Sequence, residues 1–193
     1  LKSRKSLVGI VQRPDAILCR TNFGAISSLI LSQEQGRKSA LMGNVKVSLE
    51  QFAEGCRDLM YGRRTGHPDL APFKNWNEAL EWSQDEAASS MAGDVATLIQ
   101  LVQNITVEQM LKCLAAAVEE KDAEVVISTA HRAKGREWNS VRLAGDFKHP
   151  DDMDTADLRL TYVAVTRAKE NLDISQFPKS KGDTPPLFHN LGS

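Results

Sequence analysis

The chain has 193 residues, 24 Lys and Arg against 25 Asp and Glu, and a formal net charge of −1. That length suits one domain with a real hydrophobic core, and 41% hydrophobic with 25% charged residues is ordinary globular composition, which excludes collagenous and wholly disordered chains. No apolar run reaches the ~18 residues of a membrane helix, and no apolar stretch follows the basic start to make a secretory signal; a start on Leu rather than Met predicts a piece of something longer.

In chain order, residues 7–11 and 15–20 are short apolar runs parted by Arg13-Pro14 and read as strands. From Asn22 the spacing of Ile26, Leu29, Ile30 and Gln33 turns helical and stops at Gly36. Strand, polar turn, helix is the unit of an α/β domain. Residues 40–47 read as a strand or hairpin turning at Gly43-Asn44, and Ser48 with Gln51 suggests a capping box for a helix to about Met60. Residues 62–75 form a Gly-, Arg- and Pro-rich loop, with its basic pair Arg63-Arg64 read as solvated. Helical patterns follow over 76–90, 93–104 and 106–120, the last two with Asp94 and Thr106 as N-caps. Trp76 and Trp82 lie on this pattern and read as core. At Glu124 the pattern changes: 125–129 is a β-branched run, a buried strand, and 140–144 is a second. A polar loop over 146–157, a helix over 158–168, a strand over 172–175 and an irregular tail from Phe177 complete the reading.

Charge is unevenly spread. Residues 1–40 hold seven Lys/Arg and two Asp/Glu; residues 78–122 hold two and nine; residues 124–148 hold five and three. Two basic segments flank an acidic helical block, and the expectation is that the basic ends share one face while the acidic block points elsewhere. Cys19, Cys56 and Cys113 are odd in number and far apart, which fits reduced thiols of a cytoplasmic protein rather than a disulfide framework. The four His are scattered, so no metal site is visible.

Two segments carry chemistry. In 125-VVISTAHRAKGREWNSVRLAG-145 a buried strand runs into a turn holding His131, Arg132, Lys134, Gly135 and Glu137. Ligands of open α/β sheets bind beyond the carboxyl ends of strands, and hydroxyls, an imidazole, cations and a glycine permitting close approach suit phosphate or sugar. In 158-LRLTYVAVTRAKENLDI-174, Arg167 ends a helical run, where a planar guanidinium can take phosphoryl oxygens two at a time. There is no G-x-x-x-x-G-K-S/T phosphate loop: Gly36-Arg37-Lys38-Ser39 has the wrong glycine spacing, and Asp85-Glu86-Ala87-Ala88 lacks the apolar strand of a D-E-x-x box.

Residues 129-TAHRAKGREW-138 resemble motif V of the UvrD/Rep-like superfamily 1 DNA helicases, T-x-H-x-x-K-G-x-E-W/F. Residues 162-YVAVTRAKENL-172 resemble motif VI, Y-V-A-x-T-R-A-x-x-x-L, and 17-ILCRTN-22 resembles an earlier strand-ending segment of the same domain. The short insertion, Cys19 before Arg20, and residues 40–60 are similar to the F-box-type DNA helicase branch. The resemblance implies an α/β fold, a RecA-like parallel sheet with a helical insertion. Residues 1–47 and 123–176 would be the two parts of the motor domain, 48–122 a reduced accessory subdomain and 177–193 a tail.

It also implies roles. Arg167 would be an arginine finger on the ATP γ-phosphate; Glu137 with the Gly135 backbone would contact the nucleotide ribose. Thr129 and His131 would couple that turn to single-stranded DNA, and Arg20, Thr21 and Asn22 would lie along the DNA path. Lys134 belongs to the motif, while Tyr162 and Trp138 read as core packing. The expected whole is the C-terminal motor portion of an ATP-dependent DNA helicase, 3′ to 5′ by resemblance. ATP and Mg²⁺ would be used only in the longer protein and neither would be bound by this chain alone. Its partners would be single-stranded DNA, an N-terminal motor domain and proteins meeting the acidic helices, with no membrane. The alternative is a non-catalytic module that binds protein partners or single-stranded DNA.

Overall fold

A computed structural model describes residues 7–85 and 93–179. Six strands form one all-parallel sheet: β1 (Leu7–Val8), β2 (Ala16–Cys19), β3 (Ser39–Leu41), β4 (Val125–Thr129), β5 (Trp138–Leu143) and β6 (Ala168–Asp173), in the spatial order β1-β6-β5-β2-β4-β3. The neighbouring pair β2 and β4 is buried at every residue, as continuous apolar runs in a sheet covered on both faces require.

Strand alternation sorts these side chains between two cores. Ile17 and Cys19 of β2 and Val125 and Ile127 of β4 face one side, where they meet Ile26 and Leu29 of α1 (Asn22–Glu34). The same core continues through Leu49, Phe52 and Cys56 of α2 (Val45–Met60), Ala79 of α3 (Trp76–Ser83), Ile99 of α4 (Gly93–Ile105) and Met110 of α5 (Val107–Ala115). Ala16, Leu18, Val126, Val141 and Leu143 face the other side, against Ala130 and Ala133 of the β4–β5 crossing and Leu160 and Ala164 of α6 (Thr155–Val165). This is the α/β, RecA-like arrangement expected from the sequence.

Several boundaries move, each for a physical reason. Residues 43–47 are not the second half of a hairpin. Gly43 turns at φ +64, and Val45, Leu49, Phe52, Cys56 and Leu59 are buried at helical spacing, so α2 begins three residues before the expected cap at Ser48. Ser48 instead donates its hydroxyl to the Asn44 carbonyl at 2.9 Å. The last helix begins at Thr155 rather than 158 because Asp154 and Asp157 form a reciprocal capping box. Strand β6 begins four residues earlier than its apolar content suggests, since its first half is exposed and charged. The strand expected over 7–11 shrinks to two residues on the sheet edge, with Leu7 72% exposed. Behind it, the buried Asp173 carboxylate accepts from the Val11 N–H at 3.0 Å and from Arg142 Nε at 2.8 Å, while Arg142 Nη2 donates to the Val11 carbonyl.

Thr106 caps α5 as read, its hydroxyl accepting from the Gln109 N–H at 3.3 Å. Asp94 does not cap its own helix; it lies inside α4 and serves α1 instead. Trp76 and Trp82 pack against the first core. The helix expected over 76–90 ends at Ser83, with Gln84 as its C-cap; of the Asp85–Ala88 segment only Asp85 is among the described residues, and the tail beyond 179 lies outside them.

Candidate nucleic-acid cleft and nucleotide edge

Because every strand runs the same way, the loops divide between two opposite ends of the sheet. The loops after β2, β4 and β5 meet at the carboxyl end around an open cleft of about 520 Å³. Arg20, Thr21 and Asn22 enter it from β2, Thr129, His131 and Arg132 from β4, and Lys148 from the loop after β5. The five residues assigned to DNA therefore line a single cleft, though two separate stretches of chain supply them.

The β2 loop is held by carboxylates. Asp146 accepts from the Arg20 N–H at 3.0 Å, the Thr21 N–H at 2.8 Å and the Thr21 hydroxyl at 2.7 Å. The Thr21 oxygen in turn accepts from the Gly24 N–H at 3.0 Å, the N-cap bond of α1. Thr21 thus reaches the cleft with its hydroxyl proton already committed. Asp94 takes the next two orphan amides of α1, accepting from Asn22 N at 3.1 Å and Phe23 N at 2.9 Å. The acidic block was expected to point elsewhere; through Asp94 it reaches the cleft floor, because a helix N-terminus attracts a carboxylate.

Asp157, in the first turn of α6 and 8% exposed, binds two of the cleft's cations. Its Oδ1 accepts from Arg20 Nε at 3.2 Å, and its Oδ2 lies 2.5 Å from Lys148 Nζ. Burial alone would raise the Asp157 pKa; bonds from Lys148, Arg20 and the Asp154 N–H outweigh it and hold the group below the ordinary carboxylate range. The Arg20 Nη groups and the side chains of Asn22, His131 and Arg132 have no hydrogen-bond partner among the described residues, which leaves donors facing open volume.

The three residues assigned to nucleotide are elsewhere. The β4–β5 crossing spends residues 130–137 running from the carboxyl end of β4 to the amino end of β5, so Gly135 and Glu137 emerge at the opposite edge of the sheet. Gly135 sits at φ +84, a conformation that favours glycine. Arg167 arrives at the same edge from the end of α6, just before β6. Its Nη1 donates to the Arg136 carbonyl at 3.2 Å, its Nε to Val163 O at 2.9 Å and its Nη2 to Thr166 Oγ1 at 2.9 Å. Its own carbonyl accepts from the Trp138 N–H at 3.0 Å. The basic, motif-bearing segments expected to share one face are therefore divided between two ends of the sheet, separated by the length of a strand.

The sequence comparisons agree with this architecture. A family model described as the UvrD-like helicase C-terminal domain matches residues 37–179. The chain belongs to that family. It is also 27% identical over 180 residues to F-box DNA helicase protein 1 of Schizosaccharomyces pombe, a match covering 82% of this chain and 20% of that protein. The chain therefore spans about a fifth of the curated relative's length, and the relative bears out the likeness to the F-box-type branch.

Within this UvrD-like domain, sequence reasoning misplaced or missed several residues. Tyr162, read as core, is 68% exposed on α6, with Leu158 one turn before it also exposed. Trp138 does pack against the second core. Lys148, Asp146 and Asp157 were not singled out for the cleft. The available signal was positional: Asp146 and Lys148 directly follow the β5 run, at a carboxyl end where ligands of parallel sheets gather.

Proposed function

We propose that this UvrD-like domain is the second motor portion of an ATP-dependent DNA helicase. In the longer protein it would supply an arginine finger and a ribose contact at one sheet edge and part of the single-stranded DNA track at the other. The observation that carries the reading is the convergence of Arg167 on the Arg136 carbonyl, directly between Gly135 and Glu137, in a chain of a helicase family. Two motif segments far apart in sequence meet there, with a guanidinium bonded to the backbone of the segment that carries Gly135 and Glu137. Such a set can take a triphosphate and a ribose when a phosphate-cradling domain faces it. Residues 48–122 are the reduced accessory insertion of this reading, and translocation runs 3′ to 5′.

At the cleft, Arg20, His131 and Arg132 supply donors for phosphate oxygens and Asn22 an amide for sugar or base. Thr21 and Thr129 shape the walls, and Lys134, exposed on the crossing, serves the nucleotide edge. The test is Arg167→Ala in the longer protein, with ATP and Mg²⁺. ATP turnover falls by about 10³-fold or more, the scale of an arginine finger, while single-stranded DNA affinity holds. Unchanged turnover would overturn the finger assignment. ATP hydrolysis by the pure 193-residue chain would overturn the division of labour.

A further inference from the structure

We propose that Lys148 is a further phosphate-binding residue of the cleft, and that Asp157 is the positioning residue that presents it together with Arg20. The inference rests on the nucleic-acid reading of the cleft and extends it to residues outside the motif matches.

Asp157 exceeds the needs of its capping box. Capping α6 asks one oxygen to accept from the Asp154 N–H, and that bond is long, at 3.4 Å. The shorter contacts are to the two cations, which reach one carboxylate from different loops, Arg20 from β2 and Lys148 from the segment after β5. Asp157 engages Arg20 only through Nε, leaving both Nη groups without a partner among the described residues. Lys148 has one close partner; its second carboxylate, Asp154, is 4.0 Å away and largely exposed. A carboxylate that fixes the inner nitrogen of an arginine and one face of an ammonium leaves both heads directed at a shared ligand, as a buried carboxylate orients a metal-bound imidazole. The Arg20 side chain stays 31% exposed and that of Lys148 39%, so neither cation is spent in a closed ion pair. Two cations converging on one carboxylate are close enough to hold one phosphate or two successive ones.

The sign of one substitution separates positioning from simple electrostatics. Removing a carboxylate beside a polyanion site raises affinity if charge alone matters. If Asp157 positions Arg20 and Lys148, Asp157→Asn lowers it. The measurement is fluorescence anisotropy of labelled short oligo(dT) with the 193-residue chain, titrated over a range of salt. Lys148→Ala weakens binding several-fold and reduces the slope of log affinity against log salt by about 0.7, one phosphate contact on a single strand. Asp157→Asn weakens binding by about 3- to 10-fold with thermal unfolding still cooperative. A slope unchanged in Lys148→Ala, or tighter binding by Asp157→Asn, overturns the inference. Should Asp157→Asn fail to fold, the Lys148→Ala slope decides alone, since that side chain is exposed enough to be lost without unfolding the chain. Arg20→Ala and His131→Ala are the reference. If they weaken binding while Lys148→Ala does not, only this inference falls. If none of them changes binding, or the unsubstituted chain does not bind, the cleft reading falls and takes this inference with it.

Discussion

Asp146 and Thr21 are joined twice through one carboxylate oxygen, which accepts from the Thr21 N–H at 2.8 Å and from its hydroxyl at 2.7 Å. This clamp leaves no room for a side chain at Gly24, where a Cβ would fall inside the Asp146 carboxylate. A glycine in the first turn of α1, unfavourable by helix propensity, is therefore set by the neighbouring strand's loop.

That contact makes Gly24→Ala destabilising by about 1–3 kcal/mol through overpacking. Asp146→Ala costs a similar amount, because three donors lose their acceptor. Chemical denaturation of the two single variants and the double variant checks the coupling. The double variant is less destabilised than the sum, since removing the carboxylate makes room for the methyl group. Strict additivity would show that the two do not meet.

Asp94 occupies the amides of Asn22 and Phe23, groups that a phosphate at this helix end would also seek. Asp94→Asn should move two measurements in opposite directions. Stability falls by about 1 kcal/mol, the size of a lost helix cap, while oligo(dT) affinity rises a few-fold as one negative charge leaves the cleft. Unfolding curves and anisotropy on the same preparation check both.

Asp173 links stability to acid. Burial pushes its pKa up, but hydrogen bonds from Ser175, Arg142 and the Val11 N–H prevail and bring it from the ordinary 3.8 to about 2. The folded state then binds fewer protons than the unfolded state between these values, so stability rises with pH there. The contribution is fully present above the unfolded value and is lost as pH falls from about 4 towards 2. In Asp173→Asn that part of the acid dependence disappears, while stability at neutral pH drops because the part-buried Arg142 loses its charged partner. Denaturant midpoints measured from pH 6 to pH 2 on both proteins check it.

The three thiols divide by burial. Cys19 and Cys56 are buried among apolar neighbours, which pushes both pKa values up, Cys56 to about 12, and keeps the reactive thiolate scarce. Cys113 is half-exposed on α5. Native-state alkylation followed by peptide mass analysis modifies Cys113 first, and the other two only after unfolding.

The core of the fold was legible because β2 and β4 are apolar at nearly every residue, and Asn22 opens a helix behind a polar turn. The sheet's edges were not. Strand β6, next to the edge strand β1, begins at Ala168 and runs through Lys169 and Glu170, residues that a period-2 apolar reading skips, and it is a strand because β5 pairs with it. In the candidate site, Arg20, Asn22, His131 and Arg167 were named from resemblance to short family motifs; the first three line the cleft and Arg167 lies at the opposite end of the sheet. Asp94, Asp146 and Asp157 escaped because each serves a backbone or a cation far along the chain. Asp94 even resembled a cap for its own helix. A carboxylate's partner is set by tertiary placement, which no local spacing encodes.

The crossing over 130–137 and helix α6 each leave the carboxyl edge of the sheet and finish at its amino edge, where the Arg136 carbonyl and Arg167 join them. Each carries a cleft residue near its start, His131 or Asp157, and ends at the amino end of the sheet, at Glu137 or Arg167. The 11 residues of α6 span about 16 Å. Adding one residue to either connector would leave both edges chemically complete and shift one against the other. The phase between the cleft and the opposite end of the sheet is thus written in the lengths of two connectors.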